Sequence, residues 1–260
     1  MIAPIAALGR GVARRVTRTG ALARFFVRTL GSWMALSPGG RRVVRRVMLN
    51  QIWFTALQAV PIIIVLAGIL SYLVISQTVR ELGRLNATEL IGTLMVVAIV
   101  RELGPMLTAI AVAGRSGTAI AAELATNTVM GEIRALEGIG IDPLQYLVLP
   151  RFVAAIVSVA GLILLFDCVA VVAGLAAAVT NGMSSARYFD IVLRSLSLKD
   201  VWLTLAKGLV FGIVIGMVPS FHGLAVRRGP TGVPIASSEA VLVSIVLIFI
   251  CSALFVAVTQ

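Results

Sequence analysis

The 260-residue chain is 59% hydrophobic and 13% charged, with a mean hydropathy of +1.04. A soluble domain carries about 25% charged residues, so the composition excludes an ordinary soluble enzyme or binding module and points to a protein that crosses a membrane several times. The net charge of +11 is not spread as on a nucleic-acid binder: ten of the 22 basic residues lie in the first 46 positions, with no acid among them.

Residues 1–46 form the first predicted unit, a basic N-terminal arm. At about 100° per residue, Arg10, Arg14, Arg18, Arg24 and Arg28 fall within a sector of about 120°. Ile5, Leu8, Val12, Val16, Phe26, Val27 and Leu30 fall roughly opposite. This pattern predicts an amphipathic helix lying on an anionic cytoplasmic leaflet. Gly11 and Gly20 weaken the helix, and Phe25 sits off its apolar face. The simpler alternative is a disordered basic tail. Nucleic-acid binding is disfavoured because the arm leads straight into a membrane span. The first long apolar run begins only after residue 46, too late for a cleavable signal peptide.

Residues 47–260 form the second unit, a transmembrane domain. A spanning helix needs about 20 apolar residues, and five segments qualify: within 47–79, and about 88–113, 152–180, 203–222 and 238–259. With the N-terminus inside, the inner segments hold fifteen Lys and Arg residues and the outer segments five. The positive-inside rule therefore predicts a cytoplasmic N-terminus and an external C-terminus. Asp167 is the one acid interrupting the third span, and it reads more readily as structural than as a proton carrier. Gly208, Gly212 and Gly216 in the fourth span make a ladder of small residues on one helix face, suited to close packing. Cys168 and Cys251 fall in apolar runs and read as small buried hydrophobes.

No catalytic, metal or cofactor constellation is present. His222 is the only histidine, and neither a GxSxG nor a P-loop motif occurs. Any ATP hydrolysis must come from another polypeptide. The inner segment 115–151 is too polar to span and too patterned for a slack loop. It predicts a helix over Ala119 to Met130, a break at Gly131, and a short helix ended by Gly138, Gly140 and Asp142-Pro143. That short helix, exposing Glu132, Arg134, Leu136 and Glu137, suits docking of a soluble partner.

The block "RELGPMLTAIAVAGRSGTAIAAELATNTVMGEIRALEGIGIDPLQYLVLPRFVA" resembles the MlaE/YrbE family, permease subunits of ABC transporters that work with MCE proteins. RELGP, AGRSG…AEL, E-x-x-AL…GIDP and LPR match in order and spacing. Glu132 to Pro150 is also similar to the EAA loop of bacterial ABC permeases, with Gly138 six residues after Glu132, although the terminal Leu-Pro comes one residue early. The resemblance implies an all-α membrane protein: an N-terminal interfacial helix, five transmembrane helices of ABC-permease type and a cytoplasmic coupling helix. It implies a homodimer in the bacterial inner membrane, a dimeric ABC ATPase docked from the cytoplasm, and an MCE-domain protein on the periplasmic side. Lipid, usually phospholipid, would be the substrate. The implied coupling contact comprises Glu132, Arg134, Ala135, Leu136, Gly138, Asp142 and Pro143. The implied lipid cavity comprises Arg101, Glu102, Leu103 and Pro105, with Tyr72 from the first span.

Arg101 and Glu102 are expensive where they stand. A charge at the bilayer centre costs roughly 2.5–3.5 kcal/mol on insertion scales. Adjacent residues point about 100° apart on a helix, so both find polar surroundings only if two surfaces meet there, as at the seam of a dimer. Pro105 has no N–H and leaves the carbonyl of Arg101 without its helical donor. One reading makes this a lipid-headgroup or gating site. The other makes Arg101 and Glu102 a buried ion pair that fixes helix packing, with Asp167 as a further partner. Two other classes compete with an ATP-driven permease. One is a proton-coupled secondary transporter using Glu102 and Asp167, although the five unequal spans show no internal repeat. The other is a passive membrane anchor, which has no need of mid-membrane charge.

Overall fold

The computed structural model describes residues 20–32, 38–85, 87–226, 229 and 231–259. The described elements are helical, and five helical segments are long and apolar enough to cross a membrane: Val44–Arg84, Leu90–Val129, Leu144–Thr180, Leu198–Leu224 and Gly232–Thr259. The protein is an all-α membrane protein.

The first helix, α1 (residues 20–32), precedes α2 (Pro38–Ile52) and α3 (Val60–Arg84), which a π-helical turn at Trp53–Leu57 joins into the first span. The second span is a column of α4 (Leu90–Leu94), a π-helical stretch (Met95–Leu103), α5 (Gly104–Val112), a second π turn (Ala113–Gly117) and α6 (Thr118–Val129). Its 40 residues rise about 60 Å at 1.5 Å each, twice the thickness of a hydrocarbon core. The column therefore continues well beyond the expected span, and α6 packs against α10 and α11. Gly131, at φ 82°, turns the chain into α7 (Glu132–Gly138), and Gly140, at φ 77°, turns it again. Only glycine takes such positive φ without strain.

A further π turn at Leu144–Val148 opens the third span, continued by α8 (Leu149–Thr180). The short α9 (Ser185–Ser195) is capped by the Ser184 hydroxyl, which accepts from Arg187 N. The fourth span, α10 (Leu198–Leu224), starts at a capping box in which Ser197 and Asp200 satisfy each other's backbone donors. The fifth is α11 (Gly232–Thr259). One end of the bundle carries α9 and the other carries α7.

In the bundle α8 packs between α3 and α10, and α10 packs between α8 and α11. The glycine ladder explains the α8–α10 contact. A Cβ on Gly208, Gly212 or Gly216 would stand 3.0, 2.5 or 2.9 Å from the Cα of Ala160, Ile156 or Phe152. The ladder thus brings two helices of the same chain into backbone contact. At the α9 end, the Ser71 hydroxyl donates to Ala170 O at 2.5 Å and ties α3 to α8. Tyr188 of α9 is fully buried and donates to Val171 O at 3.1 Å. Burial pushes its phenol up to about 12, so it remains a protonated donor.

Two expectations need correction. Cys168 is exposed on α8 and Cys251 is half-buried, so neither is the enclosed hydrophobe that an apolar run suggests. The proline at 105 does not break the second span: Gly104 N–H reaches back five residues to Ile99 O, and the π stretch carries the helix into α5 with Pro105 in its first turn. The arm also differs. Arg10, Arg14 and Arg18 lie outside the described residues. Within α1, Phe25 and Phe26 both turn to the bundle, meeting Phe221 and Phe152 edge-on at 5.7 and 6.1 Å, while Thr29 and Ser32 are buried. Val27 and Leu30, on the predicted lipid-facing side, are not covered by the bundle. Aromatic contact with the ends of α8 and α10 has overridden the simple two-faced wheel.

Candidate functional site

Arg101 and Glu102 do not pair with each other. Each meets a charge on α10. Arg101 Nε stands 2.5 Å from Asp200 Oδ1, and Lys207 Nζ stands 2.6 Å from Glu102 Oε1. Asp200 and Lys207 are seven residues apart, two helical turns, so they share the face of α10 that meets the second span. The divergence of neighbouring side chains is resolved within one chain: Arg101 points toward the first turn of α10, and Glu102 points toward Lys207 and Ser252 of α11, whose hydroxyl lies 3.3 Å from Glu102 Oε2. The site lies toward the α9 end of its column. Arg101 is the twelfth of the 40 residues in its column, and Asp200 belongs to the capping box at the start of α10.

Freed backbone completes the arrangement. Pro105 can donate to neither Val100 O nor Arg101 O. Arg101 O instead accepts from Lys207 Nζ at 2.7 Å, and Val100 O accepts from Thr204 Oγ1 at 3.5 Å. Lys207, Thr204 and Asp200 are essentially buried. The second-span members remain partly open, with 37% of the Arg101 side chain and 33% of the Glu102 side chain exposed. A guanidinium whose one edge is neutralised and whose other edge is open can still receive an anion.

The other predicted cavity residues divide. Leu103 closes the π stretch, half-buried, and Pro105 is buried behind it. Tyr72 stands apart, its hydroxyl 3.5 Å from Thr180 Oγ1 at the end of α8. Asp167 approaches Gly104, where a Cβ would lie 2.9 Å from its Oδ1. That oxygen is buried without a hydrogen-bond partner among the described residues. No hydrogen bond links Asp167 to Glu102 among those residues, so a two-carboxylate proton relay has no visible connection. Lys207, Asp200, Thr204 and Ser252 were missed from sequence. The available signal was Lys207, a lone cation inside the fourth apolar run, seven residues after an acid.

At the opposite end, the AEL and LPR motifs meet. Arg151 Nη2 bonds Glu123 Oε1 at 2.6 Å and Nη1 donates to Leu147 O at 2.6 Å, joining α6 to the start of α8. Ile120, Leu124 and Leu147 form a small apolar cluster against which Ile133 and Leu136 of α7 pack. Leu136 therefore anchors the helix, contrary to the expectation that it is displayed. Glu132, Arg134, Ala135, Glu137 and Gly138 are exposed, as are Met130 and Ile139. Asp142 Oδ1 accepts from Leu144 N at 2.9 Å, and Pro143 is buried. Grooves of about 650 and 480 Å³ flank α7, and Ile133 and Glu137 line both.

The sequence is similar to those of a set of known proteins. The profile described as permease MlaE matches residues 48–258. A probable ABC transporter permease protein of Rickettsia typhi is 33% identical over 204 residues, 78% of this chain and 79% of its own. A probable ABC transporter permease protein of Synechocystis sp. is 33% identical over 210 residues, 80% of each chain. The chloroplastic protein trigalactosyldiacylglycerol 1 of Arabidopsis thaliana is 35% identical over 175 residues, 67% of this chain and 50% of that protein.

Proposed function

The chain belongs to the MlaE permease family, and on that premise we propose that it moves phospholipid between the bacterial inner membrane and the periplasmic side. It is a multi-pass transport subunit of ABC type, not an enzyme, and such a permease works with an ATPase. In the proposed assembly two copies of the chain bind a dimeric ATPase at α7 and an MCE-domain protein at the α9 end. The reading is carried by the Arg101–Asp200 and Glu102–Lys207 crossing, which holds an open guanidinium inside an apolar bundle. A relative named for a galactolipid supports a lipid as cargo.

The test is reconstitution with the ATPase and MCE protein in vesicles carrying fluorescent phospholipid. ATP-dependent transfer to the MCE acceptor is expected. Arg101→Lys should keep the charge opposite Asp200, and hence most of the stability, but lower transfer at least 10-fold, because lysine lacks the planar fork that receives a phosphate. Transfer that needs no ATP would overturn the reading. Full transfer by a folded Arg101→Lys protein would remove Arg101 from the lipid path.

The fifteen-to-five distribution of Lys and Arg supports a cytoplasmic α7 end. Orientation and ATPase contact can be tested together in a chain with Cys168 and Cys251 replaced by alanine. Ala135→Cys should be labelled only from the cytoplasm, and the bound ATPase should shield it. Ser185→Cys should be labelled only from outside. Labelling of Ser185→Cys from the cytoplasm overturns the orientation, and an unshielded Ala135→Cys moves the contact away from α7.

A further inference from the structure

Helix α1 has three faces rather than two. Phe25, Phe26, Thr29 and Ser32 face the bundle. Val27 and Leu30 face outward, with Val27 67% exposed. Arg24 and Arg28 occupy a third, exposed face, one turn apart. Beside the helix lies a groove of about 660 Å³, within the range of small-molecule sites. Its walls include Phe25, Val27, Leu144 and Phe221, and among the described residues its charged lining is Arg24 and Arg28. No carboxylate among the described residues lies within ion-pair distance of either arginine. Among the described residues Arg24 makes one weak bond, Nε to Gly20 O at 3.3 Å.

The depth of the groove identifies its occupant. Leu144 is the first residue of the third span, and Phe221 lies three residues before the end of the fourth. The groove therefore sits where the apolar belt ends, at the level at which a phospholipid places its phosphate above its acyl chains. Two arginines one turn apart can hold one phosphate between their guanidinium forks.

We infer that this groove is a binding site for an anionic phospholipid of the leaflet at the α7 end, with an acyl chain along Phe25, Val27, Leu144 and Phe221 and the headgroup phosphate on Arg24 and Arg28. It is separate from the Arg101 site, and it stands whether or not the chain transports lipid. The adjoining groove beside α7 shares Arg28 and carries Glu137 and Asp142. Those acids disfavour an anion there and confine the headgroup to the Arg24 side.

The experiment measures binding of labelled phosphatidylglycerol and phosphatidylcholine to the full chain, purified and delipidated in detergent. Phosphatidylglycerol should bind more tightly. Arg24→Gln with Arg28→Gln should weaken it about 30-fold, the equivalent of two surface charges near 1 kcal/mol each. Ala23→Phe, or Val27→Trp if that variant does not fold, should block the groove and weaken phosphatidylglycerol at least 10-fold without changing the charge. Arg80→Gln with Arg84→Gln, at the other end of the bundle, should change nothing. Equal binding of both lipids would overturn the site. So would unaltered phosphatidylglycerol binding in a folded groove-filling variant, which would mean diffuse attraction to the basic surface or a groove already filled by the chain's own N-terminal residues.

Discussion

Lys207→Met is expected to cost about 3–5 kcal/mol, the usual consequence of removing one partner of a buried ion pair. That corresponds to a fall in unfolding temperature on the order of 10 °C. The loss is large because Lys207 is fully buried and serves two acceptors, the Glu102 carboxylate at 2.6 Å and the Arg101 carbonyl at 2.7 Å. Adding Glu102→Leu should return part of the loss by removing the stranded charge. Recovery should stop about 1–3 kcal/mol short, the cost of leaving the carbonyl unsatisfied. Thermal unfolding in detergent measures all three proteins. A single variant that loses less than about 1 kcal/mol would put the pair among solvated surface pairs. The same geometry predicts the outcome of exchanging Arg101 and Glu102. Exchange places a carboxylate opposite Asp200 and a guanidinium opposite Lys207, so the double variant should be less stable than either single substitution.

Gly212→Ile should be the most disruptive substitution along the glycine ladder. A Cβ there would lie 2.5 Å from Ile156 Cα, 3.0 Å from its N and 3.1 Å from Ala155 O. These are backbone atoms of a packed helix, which cannot rotate aside as a side-chain tip does. α8 and α10 would have to separate along their length, losing the contacts around Phe211, Ile215 and Ile163, all fully buried. Overpacking costs typically about 1–3 kcal/mol where side chains can shift, and this site should exceed that range and leave little folded protein. Gly161→Ala is the contrasting case on α8: nothing lies within 4 Å of its Cβ. It should gain up to about 1 kcal/mol from helix propensity. Yield and monodispersity after size-exclusion chromatography separate the two, and a well-folded Gly212→Ile protein would mean that the helices are not in backbone contact.

Much of the architecture was legible in one dimension. Apolar runs of about 20 residues become spanning helices because a helix satisfies its whole backbone within one segment in lipid. The breaks around α7 were legible too, since Gly131 and Gly140 stand where φ turns positive. Less readable was the length of each helix. The polar residues after 113 suggest the end of the second span, but helical hydrogen bonding continues to Val129. The face that α1 presents was misread because a wheel sorts residues by polarity and knows nothing of the aromatic pockets at the ends of α8 and α10.

That Arg101 and Glu102 need partners, and that Arg101 O lacks its helical donor, is already written in one dimension. Those needs follow from charge, burial and the missing N–H of Pro105, all local properties. Only the tertiary structure decided who meets them. Lys207 is 105 residues from Glu102 along the chain, and it arrives because the glycine ladder sets α10 against α8 while α10 also packs on the second span. Adjacency in sequence made Arg101 and Glu102 look like a pair, but the helix points neighbours about 100° apart. Each side chain is therefore answered by whichever packed surface it faces, a matter of helix placement in three dimensions.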